Sequence, residues 1–112
     1  MRKIIDFNEL EKLYEGDSKF QQEIVTSFVQ RIPDYFDCLK TSFYNKDIDN
    51  FLIYACQLRA VAKRSCVSEV HCLCTLLERQ VTEEKFASAT VTLQQIQKIV
   101  NRIQAEYLSY IS

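Results

Sequence analysis

The sequence predicts an all-α domain, and three observations support this prediction. Gly and Pro, the residues that turns and sheets most need, occur only once each in the 112 residues. Apolar residues recur at intervals of three and four, and no stretch alternates as a half-buried strand would. The connections between periodic segments are short, so consecutive long helices should be antiparallel. We expect one domain, residues 1–112, folded as an antiparallel four-helix bundle with a short additional N-terminal helix.

The first helix is predicted by its end signals as well as by its periodicity. It begins after Asp6 or Asn8, whose side chains can accept free amide hydrogens, and it stops at Gly16, where the left-handed conformation costs least. Asp17 or Ser18 then caps the second helix in the same way. The first helix is therefore short.

The second helix is predicted to be long and to bend at its proline. Pro33 falls inside the apolar stripe and should introduce a kink, because the stripe stays in phase on both sides of it. The segment YNKD at positions 44–47 reads as the turn that ends this helix. The predicted buried stripe consists of Phe20, Ile24, Phe28, Ile32, Tyr35 or Phe36, Leu39 and Phe43.

Three further helices complete the prediction. Asp47 or Asp49 caps the third, which runs to about Ser65, and Ser68 caps the fourth. The fourth helix ends near position 80, and the segment TEEK that follows reads as a new start with Thr82 as cap. The core positions of these last two helices are Val70, Leu73 and Leu77, then Ala89, Leu93, Ile96, Val100, Ile103 and Tyr107.

Composition and charge argue against several classes of function. The formal net charge is −1, so no global basic field attracts nucleic acid or anionic lipid. No apolar run approaches the ~20 residues that a membrane span needs, and the N-terminus does not read as a signal peptide. Five cysteines in such a chain favour reduced thiols and a cytoplasmic location. We interpret Cys38, Cys72 and Cys74 as small hydrophobic residues.

The third helix has an unusual solvent side. With about 100° of turn per residue, its core stripe comprises Phe51, Leu52, Ala55, Leu58 and Ala62. On the same wheel Cys56 lies about 115° from the centre of that stripe, Ala60 about 155° and Ile53 about 175°. Small and apolar residues beside cations favour a surface for an acidic partner. We define this candidate docking face as Ile53, Cys56, Gln57, Arg59, Ala60, Lys63 and Arg64.

The stretch ACQLRAVA, residues 55–62, resembles the signature of histidine-containing phosphotransfer (HPt) domains, in which Ala-His-x-Leu-Lys-Gly precedes small residues. The segments LYEGDSKFQQEIVTSF, KDIDNFLIYA and SEVHCLCTLLE, together with Pro33, are similar to the family in the same order. The resemblance covers nearly the whole chain and implies a four-helix bundle with a short extra helix. It also implies a domain that takes a phosphoryl group from a receiver-domain aspartate, holds it on an exposed histidine and passes it on.

The sequence departs from the family at the residue that carries this chemistry. Cys56 occupies the position of the phosphoacceptor histidine, whereas Arg59 matches the family's lysine and Ala60 matches its glycine. A thiol is a different nucleophile from an imidazole, and the sequence suggests neither a base nor a metal to assist it. We therefore predict a domain that is not an enzyme and has no cofactor. It should bind a response-regulator receiver domain or a hybrid histidine kinase.

Other interpretations concern the single histidine and the cysteines. His71 lacks the lysine and glycine that would follow an acceptor, since Cys74 and Thr75 occupy those places, so it reads as a half-buried or surface histidine. The segment CVSEVHCLC, with Cys66, His71, Cys72 and Cys74, fits no common metal motif, because neighbouring positions on one helix point about 100° apart. We expect no metal.

Two alternative functions for the docking face remain open. Cys56 beside its cations has the setting of a thiol redox switch, although no resolving cysteine is close in sequence. A structural helical module would instead use the apolar residues for weak self-association or to cover another domain of the same protein. A pull-down that captures receiver domains or hybrid kinases would favour the signalling interpretation over a structural module.

Overall fold

Five helices make up nearly all of the part of the chain that the computed structural model describes, which is the backbone of residues 4–111 and the side chains of residues 4–109. No strand occurs within this part, so the all-α prediction is confirmed. The helices are α1 (Phe7–Leu13), α2 (Ser18–Tyr44), α3 (Ile48–Arg64), α4 (Ser68–Thr82) and α5 (Phe86–Ile111).

The four long helices pack in a closed ring. α2 contacts α3, α3 contacts α4, α4 contacts α5, and α5 returns to α2, while α1 packs against α2. The described chain is a rod of 44 × 22 × 22 Å, and its length matches α2, whose 27 residues span about 40 Å at 1.5 Å per residue. Phe28, Phe36 and Phe51 are the largest fully buried side chains. Among the described helices none has the length and hydropathy that crossing a membrane would require.

The long α2 helix begins at its predicted cap and continues through its proline. The Asp17 carboxylate accepts a hydrogen bond from the Phe20 backbone N–H at 2.9 Å, so Asp17 rather than Ser18 is the cap. Pro33 lies inside the helix without splitting it. The prediction that Phe20 is buried is wrong, because 44% of it is exposed and its ring packs edge-on against Tyr14. Phe20 lies in the first turn of α2, at the end of the helix that follows α1.

Three turns of one design connect the long helices, and none of them uses glycine. Lys46, Cys66 and Glu84 each adopt a left-handed conformation, with φ of 59°, 59° and 60°. The N–H of the residue after each of them donates to the carbonyl five residues earlier, as in a Schellman motif. Sequence analysis predicted short turns, including the one at positions 44–47, but it did not foresee the left-handed conformation of these residues, which is uncommon without glycine.

Two predicted helix caps are wrong. Thr82 is the last residue of α4, and its hydroxyl donates to the Glu78 carbonyl at 2.8 Å, so it ends one helix instead of starting the next. Ser68 is already the first helical residue of α4, and Val67 precedes it without a side-chain cap. In both places the preceding helix ends in a Schellman turn and the next helix begins two residues after the left-handed residue, so Ser68 lies one position past the cap and Thr82 lies before the turn.

A short N-terminal segment links α5 to the turn between α3 and α4. The backbone N–H groups of Ile4 and Ile5 donate to the two carboxylate oxygens of Glu106 on α5, each at 2.9 Å. The N–H of Asp6 donates to the carbonyl of Cys66, in the turn before α4, also at 2.9 Å. Both isoleucines are buried. This segment therefore closes one end of the hydrophobic core, a role that sequence analysis missed.

Candidate docking face

The inner side of α3 forms part of the core, as predicted, although Leu52 at its edge is only half-buried. Phe51, Ala55, Leu58 and Ala62 are all 0% exposed, since α2 and α4 both pack against this helix. Asp47, and not Asp49, is the cap: its carboxylate accepts from the backbone N–H and from the side-chain amide of the same residue, Asn50.

The outer side of α3 is open to solvent over the predicted docking face. Ile53, the first residue of this face, is 53% exposed. Cys56 is exposed as well, so no neighbouring helix covers the position that the family resemblance assigns to the phosphoacceptor. Six of the seven predicted residues are exposed in all: Ile53, Cys56, Gln57, Ala60, Lys63 and Arg64.

Arg59 is the exception, because its side chain turns towards α4. Its Nε atom lies 3.4 Å from a carboxylate oxygen of Glu78, and the Arg59 side chain is 36% exposed. The Nε atom is itself buried and makes no hydrogen bond to the described residues, so this contact is an ion pair without hydrogen-bond geometry. The Nη2 atom donates to the Sγ atom of Cys56 at 3.6 Å. Arg59 is therefore a half-buried bridge between Cys56 and Glu78, and its charge is partly compensated.

The helical wheel contained a signal for this orientation of Arg59. At about 100° per residue Arg59 lies about 55° from the centre of the core stripe, much nearer the core than Cys56. What the wheel could not show is the partner, because Glu78 belongs to another helix. Sequence analysis included Arg59 in the docking face together with Lys63 and Arg64, and of these three cations only Lys63 and Arg64 are exposed.

The C-terminal end of the docking face remains basic. Lys63 and Arg64 lie exposed in the last turn of α3, where positive charge interacts favourably with the helix dipole. The Tyr14 hydroxyl donates to the Arg64 carbonyl at 3.1 Å, which brings α1 to this end. A cleft of about 420 Å³ opens there, and it is lined by Asp6, Glu9, Leu13, Lys63, Cys66, Ser68 and His71.

Carboxylates of α2 lie along another border of the docking face, a feature that sequence analysis missed. Gln57 and Tyr54 share a shallow cleft of about 280 Å³ with Asp34 and Arg31 of α2. Tyr54 also lines a neighbouring cleft of about 320 Å³ that includes Asp37 and Asp47. The signal was the pair of carboxylates Asp34 and Asp37, three residues apart in the sequence, but only the packing of α2 beside α3 places them at this border. The docking face therefore has carboxylates along one border, with Arg31 among them, and a basic end.

The remaining cysteines and His71 do not form a second site. Cys66 and Cys74 are buried, whereas Cys38 and Cys72 are exposed, so the interpretation as core residues is wrong for two of the three cysteines it named. His71 is half-buried, with its Nδ1 atom 3.4 Å from the Arg59 carbonyl oxygen. Among the described side chains, no group of three or more His, Cys, Asp or Glu residues is placed to hold a metal ion.

Burial changes the acid–base behaviour of the two covered thiols. Together with a smaller contribution from the Glu78 carboxylate, and opposed by Arg59, burial raises the pKa of Cys74 to about 12. Burial also raises the pKa of Cys66, with smaller contributions from Glu9 and Asp6. Both thiols therefore stay protonated near neutral pH, and neither is a nucleophile in the folded protein.

Comparison with known proteins adds no relative to this description. No protein-family model, no curated protein and no solved structure matches the chain. The resemblance to phosphotransfer domains therefore depends on the residues of this chain, and what can be argued about function depends on the geometry of the docking face.

Proposed function

We propose that this chain is a degenerate phosphotransfer domain. It would be an antiparallel four-helix bundle of the HPt type with a short extra helix, and it would dock the receiver domain of a response regulator or hybrid histidine kinase. It would not accept a phosphoryl group itself, because Cys56 stands at the acceptor position. The closed ring of long helices and the short α1 helix are compatible with that architecture.

One observation supports the proposal most strongly. Cys56 is exposed near the middle of α3, and Ala60, one turn further on, is exposed beside it. An acceptor must be reached by a partner's aspartate, so an exposed residue with a small neighbour is the arrangement that docking requires. The same arrangement without an imidazole keeps the surface and removes the nitrogen nucleophile.

The residues of the docking face would divide the work of binding. Ile53 supplies apolar contact, and Ala60 leaves clearance for the loops around the receiver's aspartate. Lys63 and Arg64 attract the acidic rim of that site, which speeds association and makes the affinity depend on salt. Arg59 holds the edge of the face through Glu78 and is a positioning residue rather than a principal contact.

The proposal is tested by mixing the purified chain with a panel of receiver domains carrying a radiolabelled phosphoryl group. We expect at least one receiver to bind, and we expect no label on the wild-type chain. The Cys56→His variant should accept label from the same receiver as an acid-labile phosphoramidate. Label on the wild-type chain would contradict the loss of transfer. A panel that includes every receiver of the source genome and shows no binding would contradict docking.

A pair of matched substitutions localises the binding surface. Ala60→Trp fills the clearance on the docking face and should reduce receiver affinity at least tenfold. Ala87→Trp places the same bulk at an exposed position of α5, away from that face, and should leave the affinity unchanged. Equal effects of the two substitutions would show that the receiver does not bind where we place it.

The contact between Arg59 and Cys56 favours a second candidate function, a thiol switch. The Nη2 atom of Arg59, 3.6 Å from the sulfur, places a cation beside an exposed thiol that an oxidant can reach. Under this alternative, peroxide treatment would form a sulfenic acid at Cys56, detected by a dimedone-type probe, before Cys38 or Cys72 reacts. Equal labelling of the three exposed cysteines would exclude a specific switch.

A further inference from the structure

We propose that the outer side of α3 also binds the same side of a second copy of this chain, with the two helices antiparallel. The residues concerned form an outer stripe of α3, spaced four, four, three and four apart, which places them on one side of the helix. All of them are exposed. The outer stripe consists of Asp49, Ile53, Gln57, Ala60 and Arg64.

The stripe is self-complementary in charge. It has a carboxylate in the first turn of α3 and a guanidinium in the last, and neither Asp49 nor Arg64 forms an ion pair with another described residue. In an antiparallel pair each Asp49 therefore approaches the Arg64 of the other copy, and symmetry makes two such pairs. A parallel pair would place like charges opposite each other, which is unfavourable.

One register satisfies shape as well as charge. If the two-fold axis passes between Cys56 and Gln57, positions whose numbers add to about 113 face each other across it. Asp49 then faces Arg64, and the large side chain of Ile53 faces the small one of Ala60, so a protrusion meets a gap. Sliding one helix along the other by one turn would move Asp49 away from Arg64, and Ile53 would no longer face Ala60.

The interface would be weak, because it consists mainly of one helix from each copy. A single helix-on-helix contact buries less surface than the ~1,600 Å² of a standard stable interface. The dimer should therefore form at high protein concentration and weaken with salt. It would cover Cys56 and Ala60, so a receiver domain would compete with the second copy. Self-association can be measured on the chain alone and does not depend on the proposed receiver function.

A charge-exchange experiment tests the dimer by sedimentation equilibrium. Arg64→Asp and Asp49→Arg should each weaken self-association about tenfold, because each replaces two attractive contacts by two repulsive ones. The combined variant, Asp49→Arg with Arg64→Asp, should restore wild-type association. Lys98→Asp, which makes the same charge change at an exposed position of α5, should have no effect. Helical circular dichroism confirms that each variant is folded.

A short bis-maleimide cross-linker checks the register independently, since the two Cys56 side chains lie next to the axis. We expect a cross-linked dimer that Cys56→Ser abolishes and that Cys38→Ser combined with Cys72→Ser retains. Cross-linking only through Cys38 or Cys72 would overturn the proposal, as would failure of the combined charge variant to associate. A wild-type chain that stays monomeric up to its solubility limit would overturn it too, without bearing on receiver docking.

Discussion

The two sides of α3 carry similar residues, but one side is buried and the other is exposed to solvent. The inner side has Phe51, Leu58 and small alanines, all completely covered by α2 and α4. The outer side has Ile53, Cys56 and Ala60 and is open to solvent. Apolar character alone therefore does not decide what is core, because a helix face is buried only where another element lies against it. The outer side contributes little to folding and is available for binding.

Truncating one large side chain on each side of α3 should show the difference in burial most clearly. Leu58→Ala leaves a cavity in the core and should lower the free energy of unfolding by about 2–5 kcal/mol. Ile53→Ala removes an exposed side chain and should change it by less than about 0.5 kcal/mol. Urea unfolding followed by circular dichroism measures both, and an Ile53→Ala loss close to that of Leu58→Ala would mean that the outer side is covered.

The five cysteines allow buried and exposed positions to be compared through the reactivity of single sulfur atoms. Cys56, with Cys38 and Cys72, is exposed, whereas Cys66 and Cys74 are buried. We expect a maleimide to label the three exposed thiols rapidly in the native protein and the two buried ones about a hundredfold more slowly, since labelling them requires opening of the fold. Mass spectrometry of digested samples gives the order. Fast labelling of Cys74 would contradict the placement of α4.

The buried Cys74 should also make stability depend on pH at high pH. In the unfolded chain its thiol ionises near the ordinary pKa of 9.0, whereas in the folded protein burial raises the pKa to about 12. Below pH 9.0 both states keep the proton, so Cys74 causes no change. Above it the unfolded state alone loses the proton, and the free energy of unfolding should fall by about 1 kcal/mol per pH unit.

Urea unfolding of two variants isolates the contribution of Cys74. The Cys74→Ala variant should show a shallower fall in stability between pH 9 and pH 10.5 than the wild-type chain. Leu77→Ala, which creates a cavity on the same helix without changing a titratable group, should keep the wild-type slope. An unchanged slope in Cys74→Ala would show that this thiol ionises alike in the two states.

Local signals in the sequence predicted most of the fold. The caps Asp6, Asp17 and Asp47 were each one of two neighbouring candidates, since a cap depends on only a few adjacent residues. The caps predicted at Ser68 and Thr82 were wrong because the sequence does not mark the turns that precede α4 and α5. A Schellman turn uses only backbone hydrogen bonds, and at Cys66 or Glu84 no glycine marks it.

The sequence by itself determined the helical class, most helix ends and the division of α3 into an inner and an outer side, since all of these follow from short-range periodicity. Tertiary structure alone decided that Arg59 is drawn to Glu78, that carboxylates of α2 border the docking face, and that Glu106 binds the N-terminal segment. These features join residues from different helices. Their distances depend on how the helices pack, which no local pattern specifies.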